Sequence, residues 1–503
     1  MLSSTVKDCL VVAAVSGATI LNVFLSGVLT VAIPTIAQDL HFRQEDLQWP
    51  VTVFYLAYGC MLLLFGRIGD IFGGRLTFFV GTAWFSAWSV GAGFAPNPTA
   101  LILFVAMMAL GAAANTPAAI SIFVGYFPPG SRRNNAFGVM GAGQPVGYIL
   151  GLVLGGIISQ SSITWRGIFF VQAGFGLLFL VLSGLVLREN TLVNSQRYTK
   201  GLDWGGALIS TAGLGLLTYS LSEITTQSLG LTIGLICASL VLLVGFWFYE
   251  LWREKRSLAA LMPPSIWRQP GAKMPAVIGM IFFAWWNFNT LLYINTLYYQ
   301  QVLLLTPMQT SIRFLPSVVS GIATNLAGGW LMSRVTALPL ILAALAANVV
   351  SAILFALIDV HESFWKMSFW VMALLAGADL VYPIGTLQVA SAFNSDSQAL
   401  AGGIFTVATR IGTSIGMAIT TSIASAVSKK YHAAHPALLP DSPEVLMAGF
   451  RAAGWTLCAA MVVSFVIAVV GLRDIGIVGL QREETRQGVQ EEVGEKSTAS
   501  PVV

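Results

Sequence analysis

Gly66-Arg67-Ile68-Gly69-Asp70-Ile71-Phe72-Gly73-Gly74-Arg75 interrupts two strongly apolar runs, Trp49 to Phe65 and Leu76 to Phe94. Each flank is about long enough to cross a bilayer as a helix, which takes roughly 20 residues. A connection this short holds no domain. It reads as a tight cytoplasmic hairpin whose Asp70 and Arg75 reach a neighbouring helix end. Its glycines let two helices and their turn pack closely.

The composition agrees with that reading. Of 503 residues, 56% are hydrophobic and only 10% charged, against about 25% charged in soluble domains. Such a chain has too little polar surface to cover a water-soluble globule, so the class is an all-α polytopic membrane protein. The formal net charge of +4 is small. The basic residues serve orientation, and no nucleic-acid partner is expected. Cys9, Cys60, Cys237 and Cys458 stand far apart, without disulfide or metal-ligand spacing. His432 and His435 share a predicted loop and form no ligand cluster. No cofactor or metal is expected. The first apolar run continues to Ile33 without a small-residue cleavage site and reads as a span, not a removed signal peptide.

Outward from the hairpin, apolar segments recur from Leu10–Ile33 to Gly449–Leu472, about fourteen in all by the length rule. With both termini inside, most Lys and Arg fall on the cytoplasmic side. They include Arg132, Arg133, Arg188, Arg197, Lys200, Arg253, Lys255, Arg256, Arg268 and Lys273, as the positive-inside rule requires. The longer inside segments flank the seventh and eighth spans. The predicted organisation is therefore a six-helix bundle over 1–187, a linker with two extra helices over 188–273, a second six-helix bundle over 274–475, and a polar cytoplasmic tail over 476–503 that reads as disordered. Gly329-Trp330-Leu331-Met332-Ser333-Arg334 closes the tenth span as Gly66 to Asp70 closes the second. It looks like a decayed internal repeat, and paired repeats place a substrate site near the midplane between them.

Several segments together resemble the fourteen-span drug:proton antiporter branch of the major facilitator superfamily, over roughly residues 15–475. The loop Gly66 to Arg75 is the most specific of them. Ala32-Ile33-Pro34-Thr35-Ile36-Ala37-Gln38-Asp39-Leu40 is similar to the first-span ending. Gly143-Gln144-Pro145-Val146-Gly147, followed by Gly151, Gly155 and Gly156, resembles the fifth-span antiporter motif. Trp165-Arg166-Gly167-Ile168-Phe169 looks like the fifth-to-sixth loop, and Arg410-Ile411-Gly412-Thr413-Ser414-Ile415-Gly416 like the thirteenth span. The resemblance implies a major facilitator fold and a loop latch formed by Gly66, Arg67, Gly69, Asp70, Gly73, Gly74 and Arg75. It also implies a glycine face, kinked at Pro145, that seals a bundle interface against ion leak. Two positions depart from the pattern: Leu25 stands where an acidic residue is usual, and Met107 where an arginine is usual.

Asp379 lies mid-span in Gly377-Ala378-Asp379-Leu380, and Arg410 lies in the next span. At ~1.5 Å rise per residue both sit about 14–15 Å from the cytoplasmic end, so they can meet. An ionised carboxylate there is expensive unless paired or facing water. Two readings stand beside absence of contact: a proton-coupling pair broken by protonation or substrate, and a permanent ion pair that fixes the bundle. The loop likewise reads as a latch or as a turn that only sets topology. The glycine series reads as a packing face as well as a seal. In the ninth span Trp286, Asn289 and Tyr293 follow i, i+3, i+7 spacing and form the predicted wall of a cavity for bulky apolar ligands, with Asn115, Gln144 and Gln388 as further polar candidates.

The expected function is export of hydrophobic organic compounds in exchange for protons. The partners are a small organic substrate, protons and the lipid bilayer, in a monomer of the cell membrane. An uptake or exchange carrier for a small polar solute is the alternative. A membrane enzyme or a sensor is a remote one, since an enzyme needs clustered acids or histidines and Asp359, His361 and Glu362 form the only compact group.

Overall fold

The computed structural model describes residues 4–42, 49–159, 161, 163–187, 202–222, 228–268, 273–360, 363–393, 397–440 and 442–473. Regular structure among them is entirely helical. The first six helices are α1 (Ser4–Leu40), α2 (Trp49–Phe72), α3 (Gly74–Gly93), α4 (Pro98–Tyr126), α5 (Ser131–Ser159) and α6 (Arg166–Val186). Then come α7 (Trp204–Ser222) and α8 (Leu229–Lys255). The last group is α9 (Met274–Leu297), α10 (Pro307–Leu331), α11 (Ala337–Ala356), α12 (Ser368–Leu375), α13 (Gly377–Ala392), α14 (Gln398–Ala434) and α15 (Pro443–Gly471).

The chain is a multi-pass membrane protein. Among the described residues eleven helices, with α12 and α13 counted as one, are long and apolar enough to span. The glycine- and serine-rich α3, α7 and α10 are packed among them, with 20, 19 and 25 residues. Local sequence sets their starts. Asn97 accepts a hydrogen bond from the Ala100 amide at 2.8 Å and Pro98 follows it. Thr306 and Gln309 exchange a reciprocal cap ahead of α10, satisfying amides that have no partner within the helix.

Two groups of helices face each other. In the first, α1 packs on α4, α5 and α6, and α3 on α4 and α6. In the second, α9 packs on α14 and α15, and α11 on α12, α13 and α15. They meet where α2 packs on α14 and α5 on α10. Helix α7 lies against both α2 and α14, and α8 against α7. Leu240, Val241, Val244 and Phe248 on α8 are exposed, as suits a lipid-facing surface.

The single span expected over Met367–Val389 is present as Ser368–Ala390, with one tightened turn at Ala376, whose φ of −63° and ψ of −7° stay in the right-handed region. A Cβ on Gly377 would lie 2.5 Å from the Ala344 carbonyl and 2.7 Å from the Asn348 amide nitrogen of α11, so a side chain there would prevent this approach. The structure differs from the sequence reading at two places. The loop expected around His432 is helical, because α14 runs on to Ala434. The hairpin shrinks to one residue, Gly73, whose φ of 94° favours glycine. Arg188, Arg197, Lys200, His361, Glu362 and the tail over 476–503 lie outside the described residues.

Candidate functional site

The acid of the hairpin reaches across to the opposite group of helices. Asp70, near the end of α2, is buried, and its carboxylate accepts hydrogen bonds from the amides of Ala399 at 2.9 Å and Leu400 at 3.0 Å. These amides belong to the first turn of α14, where N–H groups are unsatisfied within the helix and the dipole favours an anion. Glycines permit the approach. A Cβ on Gly66 would lie 3.0 Å from the Ala399 carbonyl, and one on Gly403 would lie 3.0 Å from that of Leu62. Gly69 faces the Ala399 methyl, and Gly74 packs beside Ser121. Arg75 stacks over Phe79.

A second crossing lies at the same end. A Cβ on Gly138 of α5 would sit 2.8 Å from the Gly329 Cα of α10. The Ser131 and Ser333 hydroxyls are 3.3 Å apart. The Gly329–Arg334 segment, expected as the counterpart of the hairpin, therefore meets α5 as the hairpin meets α14.

Beyond these crossings the two groups separate around a cavity of about 470 Å³. Its wall comprises Asn22 and Ser26 of α1, Tyr55 and Tyr58 of α2, and Gln144, Pro145 and Tyr148 of α5. Facing them are Trp285, Phe288, Asn289 and Tyr293 of α9, Phe314 of α10, Asp379 and Tyr382 of α13, and Thr409 and Arg410 of α14. Asp379 sits in the first turn of α13, three residues after the tightened turn at Ala376. Gly321 makes room for it: a Cβ there would lie 2.7 Å from the Asp379 Oδ2 and 3.5 Å from the Pro145 Cγ. Arg410 lies over two rings of the opposite group, 5.0 Å from the centroid of Tyr55 and 4.8 Å from that of Tyr58. The Tyr55 hydroxyl donates to Ser26 at 2.7 Å.

Asp379 and Arg410 thus share one cavity, as their predicted depths suggested, but they form no ion pair. The permanent pair is not present in this structure. Equal depth brings two residues to one level, whereas helix rotation aims Arg410 at α2.

Of the predicted ninth-span wall, Asn289 and Tyr293 line the cavity and Trp286 does not. Trp285, Phe288, Asn289, Leu292, Tyr293 and Thr296 form the cavity stripe of α9, spaced i, i+3, i+4, i+7, i+8, i+11. Trp286 turns into α14, where its indole donates to the Thr420 hydroxyl at 3.0 Å and its ring fills the space left by Gly416. Asn115 is one layer behind the wall, accepting from Asn22 at 3.2 Å. Gln388 is buried away from the cavity. Asn289, Tyr293 and Gln144 do line it. The aromatic pair Tyr55 and Tyr58, not singled out in the sequence, carried one usable signal, its i, i+3 spacing beside small residues.

The glycine series of α5 faces α1, not the opposite group. Cβ atoms on Gly143 and Gly147 would strike Ile20, that on Gly151 the Phe24 carbonyl, and that on Gly155 would lie 3.2 Å from the Val28 Cα. It is a packing face within the first group. Gly156 also lies on α5, partly buried, and Pro145 reaches the cavity. The first-span ending and the fifth-to-sixth loop meet in space: Asp39 accepts from the Trp165 indole at 3.0 Å and from Arg166 at 2.7 Å.

Comparison with known proteins follows the same outline. The Major Facilitator Superfamily profile matches residues 15–417. An MFS-type transporter of Pyricularia oryzae is 31% identical over 95% of this chain and 85% of that protein. A puromycin resistance protein of Streptomyces alboniger is 29% identical, covering 82% of each. A low affinity ammonium transporter of Saccharomyces cerevisiae is 26% identical over 76% of this chain and 75% of its own. A solved proton:xylose symporter shares the fold at a TM-score of 0.64 and 11% identity, over 95% of this chain and 99% of that one.

Proposed function

This chain belongs to the major facilitator superfamily, a transporter and not an enzyme, and from that premise we propose that it exports hydrophobic organic compounds in exchange for protons. The observation that carries the proposal is the Asp379 carboxylate. It stands mid-span, one turn after the tightened turn at Ala376, on the wall of the cavity, with no side-chain partner among the described residues. A carboxylate so placed, inside the membrane and facing a cavity, can take up a proton. The wall sets large aromatic rings among a similar number of amides and aliphatic hydroxyls, which suits bulky organic ligands that carry polar groups. Relatives named for antibiotic resistance support the direction of transport.

In this reading the chain makes fourteen spans, with α7 and α8 linking two six-helix bundles, and acts as a monomer in the cell membrane. Both termini are cytoplasmic. The Asp70 end is then the cytoplasmic end, held shut by α2–α14 and α5–α10, and the cavity belongs to the outward-facing state. A proton reaching Asp379 from outside removes its charge. Rocking releases Asp70 from α14, opens the cytoplasmic end, and lets the proton exchange for substrate.

An uptake carrier for a small polar solute is the second reading, favoured by the likeness to the ammonium transporter. Sealed inverted vesicles holding the purified protein, an imposed pH gradient and a panel of lipophilic fluorescent compounds test the proposal. Intact protein is expected to accumulate a compound with the gradient, and Asp379→Asn to lose that accumulation. Movement that ignores the gradient in both proteins would overturn proton antiport.

A further inference from the structure

We infer that Arg410 is the recognition point for a negative group on the transported compound, so that the cavity takes amphipathic aromatic anions such as carboxylates. The inference rests on the reading of this cavity as the transport site and names its substrate class. Arg410 lines the cavity from α14. Its guanidinium is clamped on one side by Tyr55 and Tyr58. Among the described residues it makes no hydrogen bond and no ion pair, and its Nε is buried without a partner.

A charge inside the membrane is costly unless paired, and two aromatic faces offset only part of that cost. The planar fork of N–H donors, left unused by the protein, matches the two oxygens of a carboxylate. Asp379 and Arg410 are the acid and the base on this wall. They differ in kind: a carboxylate can be neutralised by a proton, whereas a guanidinium keeps its charge. The persistent charge that a ligand meets is therefore positive. The clamping tyrosines also form the apolar wall, so a ligand anion on Arg410 lays its rings against Tyr55, Tyr58 and the facing Trp285.

The test uses three probes of one shape and three charges: pyrenebutyrate, pyrenebutanol and pyrenebutylamine. Binding to the full-length protein in lipid nanodiscs is read by energy transfer from tryptophan to pyrene. Pyrenebutyrate is expected to bind about ten- to a hundredfold tighter than pyrenebutanol, the range for a hydrogen bond to a charged group. Arg410→Gln is expected to erase that preference while still binding pyrenebutanol, and Arg410→Lys to keep part of it. A wild-type protein that binds all three alike, or prefers the amine, overturns the anion assignment and leaves the transport reading standing. If none of the three binds, the organic-compound cavity itself is refuted, and this inference with it.

Discussion

Asp70 shows how one side chain joins two halves of a molecule. It lies at the end of α2, yet both its oxygens serve amides of α14. Hydrogen bonds to a charged acceptor are worth about 1.5–3 kcal/mol each, and this carboxylate is 4% exposed. Asp70→Asn keeps one acceptor and loses the charge. A deficit of about 1.4 kcal/mol changes a two-state ratio tenfold, so vesicle turnover is expected to fall about tenfold while the amount of protein in the membrane is unchanged. Equal turnover would reduce Asp70 to a turn-former. The sequence pointed to Asp70 because a charged, glycine-rich turn between apolar runs is a local signal. Its partner was not legible, since Ala399 and Leu400 contribute backbone amides that any residue type would supply.

At the scale of the helix, two comparisons isolate phase and spacing. Trp285 and Trp286 are adjacent, about 100° apart around α9, and face different neighbours. Trp285→Ala is expected to weaken binding of aromatic compounds several-fold with little loss of thermal stability. Trp286→Ala, which removes the contact with Thr420 and Gly416, is expected to lower the melting temperature instead, by the few degrees that follow loss of about 1–3 kcal/mol of part-buried aromatic packing. Ligand titration and thermal unfolding in detergent separate the two.

The second comparison lies along α4. A Cβ on Gly111 would stand 2.6 Å from the Gly81 carbonyl and 2.7 Å from the Phe85 amide nitrogen, whereas nothing lies within 4 Å of a Cβ on Gly125. Gly111→Ala is expected to cost about 1–3 kcal/mol through forced separation of α3 and α4. Gly125→Ala is expected to be neutral or slightly stabilising, since alanine favours the helix by up to about 1 kcal/mol. Equal effects on unfolding would show that close helix approach does not decide the cost. Both residues are plain glycines in apolar runs, so composition does not tell them apart.

At the scale of the whole molecule, the two groups of helices touch at the Asp70 end and part around the cavity. The Ser131 and Ser333 hydroxyls, 3.3 Å apart across that closed end, offer a direct test of rocking. Ser131→Cys combined with Ser333→Cys, in a background with the four native cysteines replaced, is expected to stop turnover on oxidation and to recover it on reduction. Binding from the cavity-open side should persist in the locked protein. Full turnover with the disulfide formed would mean that this end need not open.

Hydropathy, charge bias and short glycine motifs are local properties, and they sufficed for the membrane class, the succession of helices, the family and the hairpin. They also placed Asp379 and Arg410 at one depth, because rise per residue is a constant of the helix. Rotation of each helix about its axis is a property of packing, and only the tertiary structure decided it. It turned Trp285 rather than Trp286 into the cavity, set the α5 glycines against α1, and gave Arg410 two tyrosines in place of an acid. The close approach of Gly377 to Ala344 and Asn348 of α11 belongs to the same class. An apolar stretch records how deep a residue can lie, whereas what it meets there is set by helices hundreds of residues away.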